Sequence, residues 1–323
     1  MTLAAELLAG ASVWQRFVQY PDYHYALAGG VAIALLCGVL SVFVVLKRMA
    51  FIGQGISHAA FGGVGVALLL GVLFEGLRPT LARDAVIAVF CILTALLIGY
   101  LSRKGKLSED TSIGICLAAA MALGLLLIDL RAQWVDHLIR TGRIARGELG
   151  YTPDIKPILF GNILFISPAD AWVAWGVAVL VTALVAALFK ELVFFTFDEE
   201  AATVFGVRTG ALYYGLLACL GVAVVAAMRS LGVILATGLL ILPGAIARCW
   251  SGRIGRVLVL SAAIGAVGMI AGFFLSIWIS ERADVSVGPV IVLTLVVLFV
   301  VSCAVRGVRQ RLRRRGALLK DRA

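Results

Sequence analysis

A short polar cluster lies inside an otherwise apolar stretch of the sequence. Gln54, Ser57 and His58 stand among glycines in residues 47–66. Gln54 and His58 are four residues apart, so on a helix they share one face. Neutral imidazole is a ligand for zinc, iron and, less strongly, manganese. Because unpartnered polar groups are costly inside a bilayer, such a cluster in a membrane span indicates a functional site.

The composition predicts that the chain is an integral membrane protein. Of its 323 residues, 62% are hydrophobic and 14% are charged, and the mean hydropathy is +1.05. Apolar runs of about 20 residues, separated by charged or Pro/Gly stretches, are typical of membrane-spanning helices. We therefore expect an all-α, polytopic helical membrane protein of about eight or nine transmembrane helices, with residues 1–323 forming a single domain.

The apolar runs predict nine spans. Proline removes a backbone N–H from the helical ladder, so Pro243 is expected to break the seventh span near the central site. The predicted spans are about 26–46, 51–73, 84–101, 110–129, 169–189, 211–228, 231–249, 255–279 and 288–305.

Four segments are predicted to lie outside or at the edge of the membrane. Residues 1–25 suit an interfacial helix with aromatic side chains, and 130–167 form a polar loop. Residues 191–210 contain helix start and stop signals. The tail over 306–323 holds eight cations and one acid, which favours a cytoplasmic segment near anionic lipid over nucleic-acid binding. The positive-inside rule then makes 130–167 extracytoplasmic.

Several motifs occur in order along residues 25–305. They are Leu46–Gly53 followed by Ser57–Ala59, Leu159–Leu164, Phe197–Ala201 with Gly206, Gly232–Val233 leading to Leu240–Ala245, and Gly288–Pro289 followed by Ile291–Leu293. Together they resemble the integral permease subunits of ATP-binding-cassette (ABC) importers for zinc, manganese or iron. The resemblance implies a permease that works as a dimer, with a second copy or a paralogue, in the bacterial cytoplasmic membrane.

The resemblance also implies the partners and excludes an enzymatic role for this subunit. The chain has no GxxxxGK[ST] phosphate-binding loop, so ATP would be hydrolysed by a separate cytoplasmic ABC ATPase subunit. An extracytoplasmic metal-binding protein would deliver the ion. The divalent metal is then substrate, and no permanently bound cofactor is expected.

Two groups of residues take roles from the resemblance. His58 corresponds to a metal ligand of the translocation path, and Gln54 stands where the family usually has an aspartate. A neutral amide offers a carbonyl oxygen without charge, so we expect a softer or more transient site, or one that relies on other ligands. By analogy Asp198, Glu199, Glu200 and Gly206 belong to a short cytoplasmic helix that docks on the ATPase; a solvated loop is the alternative.

Other features allow more than one interpretation. His58 is either a ligand or a histidine hydrogen-bonded to a neighbouring helix. Gly55, Ala59 and Gly63 lie on one helical line, which fits a seam between two subunits or packing within one subunit. The polar loop has three possible interpretations. It is an entry site for metal, a region of ordinary surface charge, or a docking surface for the binding protein. The acids and histidine concerned are Asp129, Asp136, His137 and Glu148.

Two other functions compete with an importer subunit. A secondary transporter driven by an ion gradient would need buried carboxylates, and the predicted spans have almost none. An intramembrane enzyme would need two or more catalytic groups at membrane depth, whereas His58 alone qualifies.

Overall fold

The computed structural model describes residues 17–74, 80–142, 166–280 and 285–320, and every regular element in this part of the chain is helical. Nine of the described helices are long and apolar enough to cross a membrane, which confirms the predicted fold class. The helices are α1 Pro21–Leu46, α2 Ile52–Leu73, α3 Thr80–Lys104, α4 Glu109–Arg140, α5 Pro168–Ala187, α6 Phe189–Phe197, α7 Glu199–Val204, α8 Thr209–Leu231, α9 Val233–Trp250, α10 Ile254–Ser280 and α11 Val287–Lys320.

One of two compact units is built around α1, with α5, α9, α10 and α11 as its other described helices. A Cβ added at Gly38 would lie 2.9 Å from the carbonyl oxygen of Ser261, so glycine permits α1 and α10 to approach closely. The Ser261 hydroxyl donates to the Gly38 carbonyl at 2.6 Å. Small residues and polar bonds of this kind replace the hydrophobic driving force that is missing between helices in lipid.

The second unit contains α2, α3, α4, α6, α7 and most of α8. Within it α2 packs against both α3 and α4. Glycine again permits the contact, because a Cβ at Gly65 would lie 2.7 Å from the carbonyl oxygen of Gly124. This unit carries the predicted metal and coupling residues.

Pro243 does not interrupt its helix, contrary to the prediction. Helix α9 is continuous from Val233 to Trp250 with the proline inside it. Ser41 of α1 supports this position, because its hydroxyl accepts from the Gly244 N–H at 2.8 Å and donates to the Ile241 carbonyl at 3.2 Å. A neighbouring side chain thus bonds backbone groups next to the proline, the condition under which spans tolerate proline.

Two helices extend well beyond the ends of their predicted spans. Helix α4 ends at Arg140, so the first eleven residues of the predicted 130–167 loop are helical. Helix α11 ends at Lys320 and takes in most of the basic tail. Helix formers such as leucine and arginine let a span continue as a solvated helix past its apolar part.

Several predictions concern residues outside the described ranges. They include the interfacial segment over 1–16, the motif Leu159–Leu164 and the acidic Glu148.

The hydroxyl of Ser41 provides a test of how α1 and α9 are held together. We expect Ser41→Ala to lower the free energy of unfolding by about 1 kcal/mol, because interhelical polar bonds in membranes contribute about that much. Thermal unfolding of the purified protein in detergent measures the effect. Ser276→Ala is the matched control, since buried Ser276 donates within its own helix, to Phe273. Equal destabilisation by both substitutions would contradict the interhelical role.

Candidate functional site

Helix α2 is positioned by the line of small residues along it. A Cβ at Gly55 would lie 2.7 Å from Ile113 Cγ2 of α4, and one at Gly63 would lie 3.0 Å from Ile87 Cα of α3. Ala59, between them, is fully buried. These contacts are all within one chain, which favours packing within a subunit over a seam between two subunits for this line.

The Gln54 side of α2 is more open than the buried Ser57 position. Gln54 is exposed and His58 is partly buried, whereas Ser57 is fully buried. The His58 ring stacks on Phe61 of the same helix, with ring centroids 6.0 Å apart and an interplanar angle of 16°. The structure therefore gives Gln54 and His58 the shared face that their spacing predicted.

Two polar atoms of this cluster are buried without a hydrogen-bond partner among the described residues. They are His58 Nδ1 and Ser57 Oγ. A structural histidine would be expected to bond a neighbouring helix, as nearly all buried polar groups are bonded. The expected structural partner is therefore missing at Nδ1, which favours a role for the imidazole beyond packing.

The described part of the chain contains no group of three or more His, Cys, Asp or Glu side chains able to hold a metal ion. Gln54 and His58 thus supply at most two ligands, fewer than a closed metal site requires. Of the residues suggested for an entry site, Asp136 near the end of α4 forms an ion pair with Arg140, with 2.7 Å between Oδ2 and Nη2.

The predicted coupling helix is present and capped at both ends. Asp198 is the N-cap of α7, because its Oδ1 accepts from the Ala201 N–H at 2.9 Å. Gly206 follows the helix with φ +83°, the left-handed conformation that glycine adopts at helix ends. Glu200 is exposed. The start and stop signals in the sequence therefore predicted this element correctly.

The third acid, Glu199, ties α7 to the end of a membrane span. It forms an ion pair with Arg103, in the last turn of α3. The Arg103 guanidinium also lies over the Tyr213 ring of α8, 4.6 Å from its centroid. The Tyr213 hydroxyl in turn donates to Glu109 Oε1 at 3.4 Å. Arg103 and Tyr213 were not predicted as site residues, because their partners are about 100 residues away in the sequence.

Helix α7 ends in an exposed apolar patch. Val204 is 86% exposed and Phe205 is 78% exposed. Neighbouring Phe194 lies 5.8 Å from Phe205 between ring centroids, which orients the Phe205 ring. Large apolar side chains left this open at a polar surface are typical of a docking site.

Comparison with known proteins assigns the family. The profile of the ABC 3 transport family matches residues 19–306, nearly the whole chain. The chain belongs to this family. The family's name places the chain among ABC transport proteins, so the alternative of an ion-gradient-driven secondary transporter is not favoured.

Similar members of the family are named as manganese transport proteins. The manganese transport system membrane protein MntC of Halalkalibacterium halodurans is 32% identical over 90% of this chain and 89% of its own length. The manganese import system permease protein ScaB of Streptococcus parasanguinis is also 32% identical, over 87% of this chain and 90% of its own. The solved structure of PsaBC from Streptococcus pneumoniae in complex with Fab is similar with a TM-score of 0.70 and 28% identity, covering 90% of this chain and 94% of that one.

The Arg103–Glu199 ion pair generates a test of how α7 is held. We expect Arg103→Gln to speed amide hydrogen exchange over residues 199–206 by about twofold to fivefold, because partly exposed ion pairs contribute up to about 1 kcal/mol. Lys104→Gln is the control; Lys104 lies over the Tyr100 ring instead. Hydrogen-exchange mass spectrometry reads both variants. If Lys104→Gln loosens α7 as much as Arg103→Gln does, the ion pair is not what holds it.

Proposed function

We propose that this chain is the membrane permease subunit of an ABC importer for a divalent metal ion, with manganese as its first candidate. The metal is taken from the names of relatives that are about one-third identical over most of both chains. The proposal also draws on the open pair Gln54 and His58 in α2. A membrane-embedded imidazole with a buried, unpartnered nitrogen is the observation that carries the site assignment.

The two side chains suit a passing ion better than a stored one. A histidine nitrogen and an amide oxygen are both acceptable to Mn²⁺, which favours oxygen ligands and takes nitrogen ligands less strongly than zinc does. Neither side chain is charged when it coordinates, so neither holds the ion by net charge. Release is thereby easier than from a carboxylate pair, and remaining ligands would come from water or from the partner subunit.

The coupling segment would connect this subunit to its energy source. In the proposal the exposed Val204 and Phe205 dock on a cytoplasmic ATPase subunit, and Glu199 passes the movement to α3 through Arg103. This contact also places α7 at the same end as the short cationic connection 103–106. The positive-inside rule makes that end cytoplasmic, and alternation of the spans brings the C-terminal tail to the same side.

The remaining parts of the assembly follow from the same proposal. An extracytoplasmic metal-binding protein delivers the ion, and a second permease copy or a paralogue completes the path. Multi-pass insertion in the bacterial cytoplasmic membrane fits the nine apolar helices of the described chain.

The first test is metal uptake by cells that carry the permease with its ATPase and binding protein. His58→Ala is expected to reduce manganese uptake by about tenfold or more, since losing interactions around a metal site costs at least that in affinity. Gln54→Asp should tighten binding and slow release. His24→Ala is the matched control, because His24 lies near the aromatic ring of Phe17 instead. Normal uptake with His58→Ala, at unchanged protein level, would remove the site assignment and leave the permease assignment standing.

A second test concerns ATPase docking. We expect Phe205→Ser to weaken binding of the ATPase subunit by about tenfold or more, because exposed aromatic anchors dominate interface energies. Co-purification of the two subunits at graded ATPase concentration measures this. Leu107→Ser is the control: Leu107 is an exposed apolar residue in the connection next to Arg103. Equal weakening by both would mean that α7 is not the specific dock.

A further inference from the structure

A cavity of about 190 Å³ lies where the end of α9 meets α11. Its polar lining consists of Trp250 from α9 and Ser302, Arg306, Arg309 and Gln310 from α11. The cavity belongs to the unit built around α1, and its lining includes no residue of the polar cluster of α2. No role in metal movement or in ATPase docking uses these residues.

The walls of the cavity are held in place by specific contacts. Trp250 Nε1 donates to Ser302 Oγ at 3.1 Å, and Ser302 is buried. The Arg309 guanidinium carbon lies 5.9 Å from the centroid of the Trp250 ring, at the edge of cation–π range. Since Ser302, Arg306 and Arg309 are spaced by four and three residues, they occupy one helical face. The indole and two guanidinium groups therefore line the same space.

The charge of this region suits an anionic ligand. Residues 201–280 and 285–320 contain no aspartate or glutamate. Helices α9, α10 and α11 thus supply no carboxylate to Arg306 or Arg309. Two of the carbonyls at the end of α9 already accept hydrogen bonds, from the Ser251 N–H and the Cys249 thiol. Arginine matches phosphate oxygens in geometry and charge, with several N–H donors in one plane.

The position of the cavity along α11 favours a lipid as the source of the phosphate. Arg306 is the first charged residue after the apolar part of α11, and tryptophan and arginine at such a position lie at the level of lipid headgroups. Val305, which also lines the cavity, offers an apolar surface next to the arginines. We propose that this cavity binds the phosphate group of an anionic phospholipid, held by Arg306 and Arg309 against the Trp250 ring. The proposal depends on membrane insertion and not on metal import.

Lipid binding to the purified full-length protein tests the proposal. Native mass spectrometry would compare dioleoyl phosphatidylglycerol with dioleoyl phosphatidylcholine as probes. For Arg306→Gln with Arg309→Gln we expect an approximately thirtyfold loss of affinity for phosphatidylglycerol, about fivefold for each arginine. The matched control is Arg256→Gln with Arg311→Gln, which removes the same charge from exposed positions that do not line the cavity. The control pair should change the affinity by less than about threefold, and phosphatidylcholine binding should stay the same.

Three results would overturn the proposal. Equal losses from the two pairs would mean diffuse attraction to the surface, and equal binding of the two lipids would mean no headgroup site. Inorganic phosphate that competes at the same concentration as phosphatidylglycerol would make this a site for a soluble anion.

A further measurement uses chains that keep both arginines, so its result does not depend on whether the arginine variants fold. Brominated phosphatidylglycerol should quench tryptophan emission of the native chain more than brominated phosphatidylcholine does, and Trp250→Phe should abolish that difference. A difference that survives Trp250→Phe would place the bound lipid elsewhere.

Discussion

The close approach of α2 to α3 and α4 is the constraint on which the rest of the account depends. In lipid, apolar side chains gain little by leaving their surroundings, so helices associate where small residues let backbones touch. Gly55, Gly63 and Gly65 meet α3 and α4 at distances that leave little or no space for a Cβ. This packing fixes the rotation of α2. With the glycines turned inward, Gln54 and His58 stand on the more open side.

The same packing links the two elements of the second unit that carry its proposed functions, because α3 contacts both α2 and α7. Helix α3 packs closely against α2 at Ile87. In its last turn, Arg103 of α3 forms the ion pair with Glu199 of α7. One helix therefore contacts both the element that carries His58 and the segment that would dock on the ATPase. Helix α8 supports the Arg103 end of α3, because the Tyr213 ring lies beneath the Arg103 guanidinium and the Tyr213 hydroxyl donates a hydrogen bond to Glu109. A displacement of α7 would act on α2 through this helix in the proposed transport cycle.

Much of this arrangement could be predicted from the sequence, and the reasons for the failures are physical. Hydropathy located the nine spans found in the described residues, and Asp198 and Gly206 marked helix α7, because these signals are local. The proline at 243 predicted a break that Ser41, about 200 residues away, prevents by bonding the adjacent backbone. The ends of α4 and α11 were missed because hydropathy ends where the apolar residues end, whereas a helix continues. The Arg103 contacts and the cavity beside Trp250 arise only from tertiary packing.

Direct observation of the metal's ligands tests whether His58 coordinates the ion. Mn²⁺ added to the purified permease complex, examined by pulsed electron paramagnetic resonance, reports nitrogen nuclei bound to the ion through their hyperfine coupling. If His58 is a ligand, the native complex shows an imidazole nitrogen coupling that is lost with His58→Ala and retained with His24→Ala and His137→Ala. A nitrogen coupling that persists without His58, or bound Mn²⁺ with no nitrogen coupling at all, would contradict the assignment of His58 as a ligand.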